Sequence, residues 1–211
     1  MNSIESACKI LNGTCKKKIS RRAFFAQSVG YTAGLRLLAS PGLLTDVLAA
    51  KGDKSKEELF TELNALVDEY LPRFGTCSQT SFYALNRVFE LDAEAFVKSL
   101  ASMPGIAERG ETCGAVIGSL LGIAMAYEEE IFDDERKGLS REPSHKFCAK
   151  FEEKYGSTRC RDVIESVTGK KYNLTKPEDY TLLAEEGAYE RCPSVVKDAV
   201  HFAAELILEK A

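Results

Sequence analysis

The chain has 211 residues, 45% of them apolar, enough to fill the core of one domain behind a short leader; no repeat, heptad array or long Gly/Ser linker argues for more. Its charge is lopsided, because residues 1–49 hold seven Lys or Arg against Glu5 and Asp46, a net +5, and the remainder must carry −9 to give the formal total of −4. That acidic remainder has no basic surface to neutralise phosphates, so nucleic acid is not an expected partner.

The chain opens with a basic stretch, Lys16-Lys17-Lys18-Ile19-Ser20-Arg21-Arg22-Ala23-Phe24-Phe25, followed by a moderately apolar run over 26–50 that is broken by Arg36, Pro41 and Asp46. A positive start followed by an apolar segment is the general form of an export signal. A membrane span needs about 20 mostly apolar residues, so this run, if left uncleaved, would give no more than peripheral membrane association. The stretch from Ser20 to Phe25 resembles a twin-arginine signal: Ser or Thr, two arginines, a variable residue and two apolar ones. An ordinary helix with a basic start is the alternative. The resemblance implies recognition by the twin-arginine export machinery, folding before crossing, and a periplasmic or otherwise extracytoplasmic location. Val47-Leu48-Ala49 offers a cleavage site before Ala50, dividing the chain into a signal segment, 1–49, and a domain, 50–211. Cys8 and Cys15 fall on the signal side and are excluded from the working site.

Within the domain, Leu59, Phe60, Leu63, Leu66, Val67 and Tyr70 recur at three- and four-residue spacings and predict a helix ending near Pro72. Phe82, Leu85, Val88 and Phe89 predict a second. A third, capped by Asp92, carries Phe96, Val97 and Leu100 and stops before Pro104-Gly105. Val116, Ile117, Leu120, Leu121, Ala124 and Met125 mark a fourth. Phe147, Phe151 and Tyr155 share one face of a fifth, which ends at Gly156. A short sixth follows Ser157 and Thr158, and the last runs from Pro193 with Val196, Ala199, Val200, Ala203 and Ile207 inward. No strict alternation predicts a strand, so the expected fold is all-α, a compact bundle-like domain. Loops are expected at 72–77, 104–112, 132–142 and 168–191, with a further helical turn or two possible over 178–188.

Five of the seven cysteines, at 77, 113, 148, 160 and 192, lie in this domain, an odd number that suits a full disulfide framework poorly. Cys77, Cys113, Cys160 and Cys192 each sit at or near the start of a predicted helix, with Pro193 in the favoured first position after Cys192. Helix N-termini offer unpaired N–H groups and the positive end of the dipole, which lower thiol pKa values and favour metal ligation. Four such thiolates, if the fold brings them together, could share an iron-sulfur cluster or a zinc ion. Gly114, Gly118 and Gly122 put a smooth face on the fourth helix, for close helix packing or, at Gly114, for approach of a cofactor. Cys148, inside the fifth helix beside Phe147, reads as core filler or as an auxiliary thiol or ligand. His145 and His201 read as peripheral helix residues. There is no Cys-x-x-Cys, no haem-attachment motif, no phosphate- or dinucleotide-binding glycine pattern and no Ser/His/Asp set.

The residues carry a resemblance that covers about 60–210. Cys113-Gly114-Ala115-Val116-Ile117-Gly118, with Cys77 before it and Cys160 and Cys192-Pro193 after it, resembles the C_GCAxxG_C_C family of redox-active proteins. The resemblance implies a helical fold and redox activity, and some members carry a twin-arginine leader. The cysteine arrangement is also similar to that of a domain found with a split-Soret cytochrome, in which an iron-sulfur cluster is expected; with no haem motif here, haem is not carried over, and Cys148 is an addition. The leading expectation is electron transfer through an iron-sulfur cluster to an unidentified redox partner protein. Metal-free thiol/disulfide exchange is the first alternative, and a zinc- or disulfide-stabilised binding domain the second.

Overall fold

A computed structural model describes residues 54–128 and 138–210, all within one unit, Asp53–Ala211. The signal-like segment, with Cys8 and Cys15, lies outside the described residues. The apolar runs at helical spacing become helices, and two short elements form within the expected loops, α3 and α7: α1 Lys56–Phe74, α2 Cys77–Val88, α3 Gly105–Glu108, α4 Gly114–Tyr127, α5 Arg141–Tyr155, α6 Cys160–Thr168, α7 Pro177–Glu185 and α8 Cys192–Lys210. Short 3-10 turns cover Glu94–Leu100 and Ala188–Arg191. Among the described residues the only strand-like pairing is an isolated antiparallel bridge between Thr112 and Arg159, and the fold is all-α.

Local chemistry sets the helix ends. Ser55 caps α1 by accepting from the Glu58 N–H at 3.2 Å, while the Glu58 carboxylate accepts from the Ser55 N–H at 2.7 Å, a reciprocal capping box. The helix runs past Pro72 because a proline in the last turn removes one hydrogen bond without disturbing the turns before it. Gly75, left-handed at φ 69°, then stops it and returns its N–H to the Leu71 carbonyl. The long loop expected over 168–191 contains α7, started by Pro177, and the 3-10 turn that leads into Cys192.

The core lies where α2, α4 and α8 meet, with α1 and α5 packed around them. Val196, Ala199, Val200, Ala203 and Ile207 of α8 point inward as their spacing predicts, against Leu63, Val67, Phe147 and Phe151. A fully buried side chain such as Phe147 contributes about 1.5–3 kcal/mol through apolar burial. Two expectations need correction. The deepest face of α4 is made of Gly114, Ala115, Gly118, Ser119 and Gly122 with Val116 and Ile123, while Ile117, Leu120, Leu121, Ala124 and Met125 are only partly buried. Small residues take that face because α2 lies so close that a Cβ on Gly118 would stand 2.3 Å from the Ser78 carbonyl oxygen. Nor does Asp92 cap a third α-helix. Asp92 is itself left-handed at φ 52°, the following turn is 3-10, and Asn86 reaches across to accept the Ala93 N–H at 2.9 Å. Phe96 consequently points out, 49% exposed, and only Val97 and Leu100 turn inward.

Candidate functional site

Four of the five domain cysteines begin helices. Cys77, Cys160 and Cys192 are the first residues of α2, α6 and α8, and Cys113 is the N-cap of α4. Separations of 36, 47 and 32 residues rule out a contiguous loop site, so the packing must bring them together. All four line a single cavity of about 540 Å3, walled by apolar residues of α1, α6 and α8.

A set of backbone hydrogen bonds joins the loop before α4 to the loop before α6. The Cys113 N–H donates to the Thr158 carbonyl at 2.8 Å, the Cys160 N–H to Glu111 at 2.6 Å and the Arg161 N–H to Gly110 at 3.2 Å. These bonds flank the Thr112–Arg159 bridge and place the starts of α4 and α6 side by side. Gly105 supports the same corner: at φ 53° it takes a conformation open to glycine, and a Cβ there would come within 3.5 Å of the Cys160 sulfur. Gly114 brings α2 in from the other side, its would-be Cβ 2.4 Å from the Cys77 sulfur.

The sulfurs are not equivalent. The neighbouring Cys77 thiol, and then the backbone N–H groups of Ala115 and Val116 at the start of α4, hold the Cys113 pKa below the ordinary thiol value despite burial. Cys77 is pushed well above it by its pairing with Cys113, then by burial and by negative charge on the other three sulfurs. Burial, and then the charge of Cys113, raises Cys160 and pushes Cys192 up to about 12. The expectation that every helix-start cysteine has a lowered pKa therefore holds only at Cys113. A helix terminus stabilises charge by about 0.3–1 kcal/mol, under one pKa unit, whereas burial can shift a group by about 3–5 units. Only Cys113 adds two aimed N–H groups and a neighbouring thiol.

The other candidates separate from this cluster. Cys148 is half-buried on α5 against the core and does not line the cavity; burial, then Glu152, raises its pKa. We expect Cys148→Ala to cost about 1–2 kcal/mol, the loss of a small packed side chain, with metal content unchanged. Chemical denaturation alongside metal analysis checks both, and cofactor loss matching that of Cys113→Ala would make Cys148 a ligand. His145 is exposed, and His201 stacks on Phe60 with ring centroids 4.1 Å apart.

Sequence reasoning gave no part to Tyr180 and Tyr189, and read Tyr155 only as a residue of the inward face of the fifth helix. The Tyr155 hydroxyl donates to Asp198, and its pKa is raised by burial, by that bond and by the nearby Cys113 charge. In the wall of the cavity, which Tyr155 does not line, Tyr180 donates to Glu108 at 2.9 Å, with Tyr189 packed edge-on against the Tyr180 ring. For Tyr180 and Tyr189 the sequence signal was weak, because both lie in the 168–191 segment, whose apolar spacing is poor.

A family described as "Putative redox-active protein (C_GCAxxG_C_C)" matches residues 75–206, a span that takes in all four cavity cysteines. The chain belongs to this family. Comparison with curated proteins and with solved structures gives no match. Membership in the C_GCAxxG_C_C family agrees with the chemistry of the cavity, since four thiol groups in one apolar enclosure are a soft donor set and a reservoir of redox-active sulfur. Four thiols lining one enclosure have the softness that iron-sulfur ligation takes. A tetrahedral zinc ion asks more, because zinc-sulfur bonds of about 2.3 Å would draw four sulfurs to roughly 3.8 Å from one another. Among the described residues no group of three or more His, Cys, Asp or Glu side chains is placed to hold a metal ion.

Proposed function

We propose that this redox-active protein is exported by the twin-arginine route and transfers single electrons through an iron-sulfur cluster held by Cys77, Cys113, Cys160 and Cys192. The observation that carries the reading is the convergence of four helix-start cysteines on one cavity far larger than a single ion requires. Such a cluster, when bound, would supply reversible one-electron chemistry without proton transfer. The residues of this chain would provide four sulfur ligands, N–H groups at the start of α4 and an apolar wall that excludes water. Protein purified without oxygen should contain iron and acid-labile sulfide in comparable amounts, with absorption that bleaches on reduction. Absence of both from folded protein would reject the cluster.

A second reading has its own observation, the pairing of Cys77 with Cys113, which raises the pKa of one thiol and lowers that of the other. Such a pair can reduce a substrate disulfide: Cys113, as the thiolate, attacks one substrate sulfur and releases the other as a thiolate, leaving a mixed disulfide; Cys77 then attacks the Cys113 sulfur, the mixed disulfide breaks to release the first substrate sulfur as a thiolate that takes up the Cys77 proton, and an intramolecular disulfide remains. Thiol counts before and after mild reduction separate the readings, since only this one predicts a disulfide that yields two further thiols on reduction of metal-free protein.

Export has a separate test. Replacing Arg21 and Arg22 together with Lys should leave the protein in the cytoplasm, because the paired guanidinium groups are the distinguishing part of the Ser20 to Phe25 pattern. Fractionation showing undiminished export would count against the route without touching the redox reading.

A further inference from the structure

The cavity does more than gather sulfur. Its far wall is apolar, built by Val67 and Leu71 of α1, Val163 and Val167 of α6, and Leu174 from the loop that follows. At about 540 Å3 it falls within the range of roughly 300–1,000 Å3 typical of sites for organic ligands. Its charged residues are all acidic. Asp68, Glu108 and Glu190 line it, whereas no Lys, Arg or His among the described residues does. Asp68 is offset by Lys197 at 2.7 Å, which leaves the negative field concentrated at Glu108 and Glu190.

Glu108 is held there at a conformational cost. Gly105, Ile106, Ala107 and Glu108 run consecutively through positive φ, at 53°, 48°, 54° and 60°, so α3 is a left-handed turn. A left-handed residue other than glycine costs about 1–2 kcal/mol, more at a β-branched one such as Ile106, and such strain persists where the surroundings enforce it. Here the turn is enforced by bonds from Ala107 N–H to the Ser102 carbonyl at 2.9 Å and from Glu108 N–H to Pro104 at 2.8 Å. Its product is a carboxylate set at the cavity beside Cys160, with the Tyr180 hydroxyl fixed on it and the Tyr189 ring against that tyrosine.

We propose that this cavity binds an apolar organic molecule, uncharged or singly positive, seated on the α1, α6 and Leu174 wall with its polar or cationic end at Glu108 and Tyr180. The site deepens the redox reading, because a molecule so placed lies beside the sulfurs. Its binding nevertheless rests on the shape and charge of the cavity alone. An anion of the same size is disfavoured by the acidic lining.

Tetraphenylphosphonium and tetraphenylborate, a cation and an anion of nearly identical shape, test the proposal directly. The full chain, as purified and with its iron content recorded, is titrated with each by calorimetry. The phosphonium should bind at one per chain and about tenfold or more tighter than the borate, a difference set by charge because shape is matched. Glu108→Gln should weaken the phosphonium by about two- to fivefold, the size of an exposed charge interaction, and leave the borate unchanged or improved. Val167→Trp and Leu174→Trp, each shown folded by circular dichroism, should abolish binding by filling the wall. Equal or tighter binding of the borate overturns the proposal, as does phosphonium binding that survives both Trp substitutions. Should neither Trp variant fold, the Glu108→Gln comparison decides, and an unchanged preference for the cation counts against the site. Selective binding by iron-free protein would sustain this site while the cluster reading fails; iron-loaded protein without selectivity would do the reverse.

Discussion

Substituting Ser for any one of Cys77, Cys113, Cys160 or Cys192 is expected to remove most of the iron and acid-labile sulfide from folded protein and to lower its unfolding midpoint. The reason is topological. The four residues stand at the starts of α2, α4, α6 and α8, so a group bound to all of them ties four helices together, and its binding energy adds to the stability of the fold. Ser preserves the size of the side chain while replacing a soft ligand with a hard one, which isolates ligation from packing. Cys113→Ser should be the most severe, since Cys113 is the most buried of the four and the one whose pKa lies below the ordinary thiol value. The thiol/disulfide reading predicts a different pattern from the same four proteins. Cys77→Ser and Cys113→Ser alone would abolish the reducible couple, and Cys160→Ser and Cys192→Ser would leave it intact. Iron, sulfide and free-thiol content measured across the series distinguishes the two, and full iron retention after any one substitution removes that residue from the ligand set.

The sequence made part of this site readable and concealed the rest. Each cavity cysteine could be placed at a helix start because turn residues precede it, Gly75-Thr76, Gly110-Glu111-Thr112 and Gly156-Ser157-Thr158, or Pro193 follows it. The packing of α5 and α8 was readable from the spacing of Phe147, Phe151, Val196 and Val200, since a helix with one apolar face has only one way to turn. Convergence was not readable. It depends on the bridge between Thr112 and Arg159 and the hydrogen bonds beside it, made by backbone groups that every sequence possesses. The left-handed turn at α3 was concealed for the opposite reason: Ile106, Ala107 and Glu108 all disfavour positive φ, and only Gly105 hints at it. The unequal thiols were misjudged because the sequence shows which cysteines begin helices but not how deeply they are buried, and burial is the larger effect.

The three glycines of α4 should respond to Ala in a graded way that separates helix packing from site architecture. Each substitution gains about 1 kcal/mol of helix propensity in a helix interior, so a loss of stability must come from steric conflict exceeding that gain. At Gly122 the new methyl meets the Leu85 Cδ1 at 2.6 Å, which can rotate away, and the Leu85 Cβ at 3.2 Å, which cannot, so Gly122→Ala should cost less than Gly118→Ala without being neutral. At Gly118 it would meet the Ser81 Oγ at 2.1 Å, the Ser78 carbonyl oxygen at 2.3 Å and the Phe82 nitrogen at 3.0 Å. Two of these are backbone atoms of α2, so the helices must separate; Gly118→Ala is expected to cost about 1–3 kcal/mol, the range for overpacked cores. At Gly114 the nearest atom is the Cys77 sulfur at 2.4 Å, with the Ser78 nitrogen at 3.0 Å and the Pro104 Cα at 3.1 Å behind it. There the conflict displaces a candidate ligand, so Gly114→Ala should lose cofactor out of proportion to stability, whereas Gly118→Ala should lose stability first. Denaturant unfolding and iron content measured on the same three variants read both quantities. Equal iron loss at Gly114 and Gly118, scaled to their stabilities, would mean that the close approach at Gly114 serves helix packing alone.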